Sequence, residues 1–257
     1  MTGRSVLLAA VLLAATTIGA GAATTTVSDP AHRLMASINE ARTARGLVPL
    51  RADPRLWAIA TERAGRLAAV GILSHQAAGS LPQDLAARGV RWYGYGEDIG
   101  YATAFPGVAA GAILGMWASS SEHWPLLMSA SFNYLGVGLA YEAGSGLAFA
   151  SVVLTESPDR TGARASFVGA TVTGDDIRWS WHGWDLPLQS HTAGLLDYDI
   201  QLRMDRTTWV TIAQATTVTS RSTLNRLRGH WYGFRARARD QAGNVGPWSR
   251  ERRLWLP

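Results

Sequence analysis

The 257-residue sequence contains no cysteine and no lysine. The first absence excludes disulfide staples, thiolate nucleophiles and lipid-anchored cysteines. The second leaves arginine as the only permanent side-chain cation, and arginine favours planar, bidentate contact with carboxylates or phosphates. Long apolar runs are also lacking. Val6 to Ile18 falls well short of the ~20 residues a membrane-spanning helix needs, and no later segment comes close. There is no G-x-S-x-G elbow, H-E-x-x-H helix or P-loop, which removes the hydrolase, metalloprotease and nucleotide-binding classes that depend on them. Gly94-x-Gly96 begins like a dinucleotide loop, but its third glycine falls one place late and two acids there would repel a pyrophosphate.

What is present describes an exported chain of two domains. At 47% hydrophobic and 17% charged residues the composition is globular, and the length exceeds that of one ordinary domain. Arg4, the apolar run and Ala20-Gly21-Ala22 read as a signal peptide over residues 1–22, cleaved on export and leaving no membrane span. The remaining domains are large enough to bury cores without disulfides.

From Ala31 to about Arg88 the pattern is helical. Asp29-Pro30 and Asp53-Pro54 each set an N-cap acid before a proline at the first helical position. Leu34, Ile38 and Ala41 follow one start, and Leu56, Ile59, Ala60, Ala64 and Leu67 follow the other at spacings of three and four. Gly46 and Gly71 are placed as C-cap glycines. Pro82 to Ala87 and Pro106 to Trp117 read as third and fourth helices. Tyr134 to Leu154 alternates as a β-hairpin around Ala143-Gly144-Ser145-Gly146. Residues 31–156 therefore form an α+β domain. Residues 157–163 read as a linker, and 164–257 as an all-β sandwich with strands near 176–181, 198–204, 208–213, 216–224 and 232–239.

Charge is unevenly divided. Ten arginines face 11 acids before Arg160, a balance of −1; from Arg160 onward 14 arginines face 8 acids, +6, and the two sum to +5. Arg235, Arg237 and Arg239 alternate and so share one face of a strand. This is either a solvated outer face or an adhesive one for an anionic cell-wall polymer. Nucleic acid is not an expected partner of an exported chain.

The chemistry-bearing residues lie in the first domain. His75 follows the second helix, Glu97 sits in what reads as a glycine-flanked loop, and His123 follows Ser119-Ser120-Ser121-Glu122. Two imidazoles and a carboxylate form the ligand set of an open zinc site, although spacing alone does not bring them together. A serine–histidine pair is the lesser alternative, since a serine run more simply ends a helix.

The order of the pieces is the stronger signal. I-N-E-A-R-T-A-R-G-L, A-x-x-R-A-x-R-L-A-A-x-G-I-L-S-H, G-Y-G-E-D-I, W-A-S-S-S-E-H and L-G-V-G-L-A-Y together resemble the bacterial branch of the CAP superfamily, the SCP/PR1-like proteins, over about Ala31 to Thr155. The resemblance implies a three-layer α-β-α sandwich whose cleft gathers His75, Glu97 and His123 around zinc or another divalent ion. Asp98 stands where the family usually has asparagine, and Asp98 or Glu122 is a candidate fourth ligand. Trp92, Tyr93, Tyr95, Trp124 and Pro125 are candidates for an aromatic cleft suited to an apolar or glycan ligand. W-Y-G-F-R-A-R-A-R-D-Q-A-G-N-V-G-P-W-S resembles the last strands of a fibronectin type III domain, an immunoglobulin-like sandwich, with Tyr232 in the tyrosine-corner position and Trp179 or Trp181 as the buried tryptophan.

The expected function is a secreted or cell-wall-associated binding module, non-enzymatic, holding a divalent ion or a small apolar or glycan ligand. The alternatives are a metal-assisted hydrolase of wall peptide or polysaccharide, and adhesion through the arginine-rich β domain.

Overall fold

The computed structural model describes residues 30–103, 106–142 and 145–257. The signal-peptide reading, the Asp29 cap and part of the hairpin turn lie outside the described residues. The first unit runs α1 (Pro30–Thr43), β1 (Arg51–Ala52), α2 (Pro54–Val70), α3 (Leu81–Ala87), β2 (Gly94–Thr103), α4 (Pro106–Ala118), α5 (His123–Leu127), β3 (Tyr134–Tyr141) and β4 (Leu147–Glu156). Its sheet has the order β1-β3-β4-β2, with β1 parallel to β3 and the other pairs antiparallel.

Local sequence explains the longest helix. The Asp53 carboxylate accepts the Arg55 N–H at 2.8 Å, Pro54 needs no partner for a missing N–H, and Gly71 closes α2 in the left-handed region at φ 65°. The apolar stripe Leu56, Ile59, Ala60, Ala64 and Leu67 is buried throughout. Leu56, Ile59 and Ala60 pack with α3 and Val153 on one face of the sheet, while α1 and α4 pack against Val137, Val152 and Leu154 on the other. This is the α-β-α sandwich. Helix α2 lies hard on β3 because Gly136 and Gly138 leave room for its backbone: a Cβ at those positions would sit 2.0 Å from the Leu56 carbonyl carbon and 2.2 Å from the Ala60 oxygen.

The expectation of a loop from Gly94 to Gly100 is corrected. That stretch is the first seven residues of β2, an edge strand paired to β4 along its whole length. Its glycines admit the opposite layer rather than a turn. A Cβ on Gly96 would meet Leu126 at 3.0 Å, and one on Gly100 would meet Trp117 at 3.0 Å.

The second unit comprises β5 (Arg164–Thr173), β6 (Asp176–Trp184), β7 (Leu195–Met204), β8 (Val210–Thr216), β9 (Ser220–Thr223), β10 (His230–Asp240) and β11 (Arg252–Leu256). Two sheets, β11-β10-β7-β8 and β5-β6-β9, enclose Trp179, Trp181 and Phe234, with Trp179 stacked on Phe234 at 5.4 Å. Both candidate tryptophans are therefore core. The Tyr232 hydroxyl donates to the Leu227 carbonyl at 3.0 Å, the tyrosine-corner contact. On the outer face, Arg203 and Arg235 cover Trp209, and Arg235 and Arg237 cover Trp248, at 4.3 to 4.7 Å. Glu251 and Asp199 pair with Arg203 and Arg237, so much of the positive charge on this face is neutralised locally.

The segment 157–163 is packed rather than solvated: Ser157, Asp159 and Ala163 are buried. Arg160 reaches back to Asp53 at 2.7 Å and covers the Tyr134 ring at 4.2 Å. The Asn133 amide donates to the Ser157 and Ser190 carbonyls, and Gln189 accepts the Val48 N–H at 2.6 Å. His191 pairs with Glu156 at 2.7 Å and leans on Tyr93. The two units are thus docked through polar contacts.

Gly136→Ala drives a methyl group into helix backbone that cannot move without dragging α2 off the sheet. It is expected to cost about 3 kcal/mol or more, read as a lower midpoint in urea denaturation; an unchanged midpoint would refute the close contact.

Candidate functional site

Alternation along β2 decides where each acid points. Residues 97 and 99 face α2, and residue 98 faces the α4 layer; accordingly Ile99 packs with Leu67 of α2. The Glu97 side chain is buried, and both of its oxygens are fully engaged. Oε1 accepts from Arg63 Nε at 2.6 Å and from the Ser151 hydroxyl at 2.7 Å; Oε2 accepts from Arg63 Nη2 at 2.7 Å and lies 2.8 Å from His75 Nδ1. An ionised carboxylate has about four lone-pair sites, so this one is saturated. Burial alone would raise its pKa, but the hydrogen bonds from Arg63, His75 and Ser151 outweigh it and hold the group below the usual range.

Arg63 is wholly buried and holds a second acid, Asp84 of α3, at 2.8 Å, as well as the Ala78 and Gly79 carbonyls. Burial works against its charge, yet contact with Glu97 and Asp84 raises its pKa. Arg66 closes on the same Asp84 oxygen at 2.8 Å. Arg63, Asp84 and Ser151 were not among the sequence candidates. Arg63 was nonetheless visible as a charge lying within the apolar stripe of α2, four residues after Ile59 and four before Leu67, where a cation demands a buried partner.

His123 lies on the other layer. It is the first residue of α5, its Nδ1 is 2.7 Å from the Ser120 hydroxyl, and its ring stacks at 6.2 Å on Trp117. Trp117 in turn donates its indole N–H to the Ile99 carbonyl at 3.1 Å. The structure therefore brings His75 to Glu97 and sets His123 with Ser120 and Trp117. Among the described residues, the donor atoms of His75, Glu97 and His123 do not form a group within 4.8 Å of one another. With every Glu97 lone pair used and a guanidinium alongside, Glu97 does not fit as a ligand to a resident cation.

A cavity of about 490 Å³ runs along the free edge of β2 and joins the two layers. It is lined by Leu73, Ile99, Tyr101, Met116, Trp117 and His123 among others. Its aromatic character comes from Tyr101 and Trp117, whereas Trp92 and Tyr95 pack edge-on with each other and Trp124 packs against the helical core under Arg45. Glu122 is exposed.

Asp98 is the anomaly of the site. It is 3% exposed, its Oδ2 has no hydrogen-bond partner, and burial, followed by the charge of Glu97, pushes its pKa up to about 8. The side chain is therefore mostly protonated at pH 7.

Three further carboxylates, Asp159, Asp185 and Asp240, each offer an oxygen within 4.8 Å of the others, an arrangement able to hold a metal ion. Burial, aided by the charges of Asp159 and Asp240, raises the pKa of Asp185 against the backbone hydrogen bonds from Gly194 and Leu186, which lower it. Each acid is already satisfied by backbone or amide donors: Ala193 and Thr161 on Asp159, Leu186 and Gly194 on Asp185, and Asn244 on Asp240.

A four-stranded sheet between two helical layers, with a cleft along its edge strand, defines an α-β-α sandwich domain. Residues 35–154 match the family model of the CAP domain, the cysteine-rich secretory protein family, and this segment belongs to that family. Among solved structures, an extracellular SCP-domain protein from Bacillus anthracis is similar at 21% identity and a TM-score of 0.43, covering 50% of this chain and 40% of that one. An outer surface protein from Borrelia burgdorferi is similar at 19% identity and TM-score 0.44, covering 50% and 92%. A fibronectin-like protein from Clostridium thermocellum covers 38% of this chain and 96% of its own, at 17% identity and TM-score 0.28. The chain thus spans about two fifths of the Bacillus protein. No curated protein matches the chain.

Two predictions follow from these geometries. Glu97→Gln keeps the shape but strands a buried guanidinium, and is expected to cost about 3 kcal/mol of unfolding free energy, measured by urea denaturation. For Asp98 the folded pKa is raised above the unfolded value. Its contribution is therefore fully present below about pH 4 and is lost as pH rises through about 8. Asp98→Asn is expected to flatten the fall in melting temperature between pH 5 and pH 8; an equal fall in both proteins would contradict a neutral Asp98.

Proposed function

We propose that this is a secreted, cell-envelope binding protein whose CAP domain holds a small apolar or glycan ligand in the cavity along β2, with the β domain as a docked companion. The observation that carries this reading is the cavity itself. Its volume, about 490 Å³, suits a small molecule, and its lining combines apolar walls with a few polar groups, the usual character of ligand sites. His123 and Ser120 supply the polar anchor; Tyr101 supplies an exposed ring face for a sugar or hydrocarbon.

A hydrolytic reading finds less support in the same residues. Glu97, the acid nearest to hand as a general base, is locked into the Arg63 ion pair, and Asp98 faces the opposite layer. The Glu97 cluster instead fixes the loop carrying His75 and the α3 segment against β2, and so shapes one wall of the cavity. Export follows from the N-terminal pattern of residues 1–22. Among the described residues, no helix is long and apolar enough to cross a membrane.

The test uses 8-anilinonaphthalene-1-sulfonate as an apolar probe. Saturable, one-to-one fluorescence enhancement is expected. Met116→Glu and Tyr101→Ser, both at well-exposed positions, are expected to weaken it about tenfold, or 1.4 kcal/mol, without lowering the melting temperature. Absence of saturable binding, or affinity untouched by both substitutions, would overturn the reading.

A further inference from the structure

A cavity of about 620 Å³, larger than the one along β2, lies at the junction of the two units. Ligand sites of this size favour domain interfaces. Its walls come from the segment 48–52 of the first unit, from Thr161 and Gly162, and from 186–187 and 245–247 of the second. Among the described residues, two arginines, Arg51 and Arg164, line it, and no acidic residue does. Neither arginine has a carboxylate partner among the described residues, in contrast to Arg55, Arg63, Arg160, Arg203 and Arg237. Arg51 gives one Nη2 hydrogen bond to the Pro187 carbonyl at 3.0 Å, while its Nε is buried with no partner at all. A buried guanidinium N–H left unmatched is a costly omission unless something else accepts from it.

The backbone of the same wall is also open. In the ladder with β3, the Arg51 N–H donates to Asn133 and the Asp53 N–H to Leu135, at 3.0 and 3.1 Å. Strand geometry then turns the N–H and C=O of the intervening residue, Ala52, away from β3 and toward the free edge of β1. Ala52 is exposed and lines the cavity, and β1 is the terminal strand of its sheet. The facing walls include Pro49, Pro187 and Pro247, which bring apolar rings and no competing N–H groups.

We infer that this junction cavity is a peptide site: an extended segment with a free carboxylate adds to the edge of β1 at Ala52 and places its carboxylate on Arg51 and Arg164. Edge-strand addition and carboxylate capture are both established modes of peptide recognition, and a guanidinium fork matches a carboxylate bidentately. The site is independent of the β2 cavity, so ligand binding there can fail without affecting this inference. Because both units build it, binding also clamps them together.

The experiment is calorimetric titration of the full chain with acetyl-trialanine as the free acid, as the carboxamide, and with its central amide N-methylated. The free acid is expected to bind one-to-one, with the carboxamide and the N-methylated acid at least tenfold weaker. Arg164→Gln, at an exposed position, is expected to weaken the acid tenfold with an unchanged melting temperature; Arg51→Gln serves as the second variant, read alongside its stability. Inorganic phosphate is titrated as a competitor. Equal affinity for acid and carboxamide, affinity unaffected by Arg164→Gln, phosphate binding as tightly as the peptide, or no peptide binding would each overturn the proposal.

Discussion

The buried contact between Arg63 and Glu97 is the constraint on which the site depends. A guanidinium in the middle of the apolar stripe of α2 must find an anion, and the one it finds lies on the edge strand β2. That pairing ties helix to sheet edge, draws in Ser151 from the neighbouring strand, and holds His75 at a fixed distance. Asp84 extends the network to α3. A buried ion pair adds little net stability, since desolvation offsets most of its Coulomb gain, yet losing one partner is costly. Its effect is therefore specificity of arrangement: one register of α2 on the sheet satisfies the charges. The cavity along β2 inherits its shape from that arrangement.

The same logic of matched polar groups operates at the junction. Arg160 serves Asp53, which also caps α2, so one carboxylate links the start of a helix to the chain leaving the domain. Asn133 holds both Ser157 and Ser190. Such contacts are directional, and together they orient the β sandwich on the CAP domain. Arg51 and Arg164 are the exceptions, charged groups in the junction with no acid to answer them among the described residues.

Much of the architecture was legible in the sequence. The Asp53-Pro54 cap, the stripe of α2 and the closing Gly71 point to a helix because each satisfies a specific backbone requirement, and the alternating hairpin of β3 and β4 was equally plain. So were Tyr232 and a core tryptophan of the β domain, read as Trp179 or Trp181, although the structure buries both. Strand β2 was not, because three glycines in seven residues carry the signature of a turn, while their actual purpose, room for Trp117 and Leu126, is a tertiary fact. Strand β5 carries a bulge between Phe167 and Gly169 that breaks its alternation, and β11 opens on two arginines. At the site, His75 beside Glu97 was anticipated. The partner that determines what Glu97 can do was hidden in a motif read for its apolar residues.

The central claim is that Glu97 is committed to Arg63 and is closed to a cation. Calorimetric titration of zinc into the intact protein and into a His75→Ala/His123→Ala variant tests it most directly. The account predicts heats that do not differ between the two proteins. A one-to-one zinc site in the intact protein that disappears in the variant would contradict it and restore the His75, Glu97 and His123 set as a metal centre.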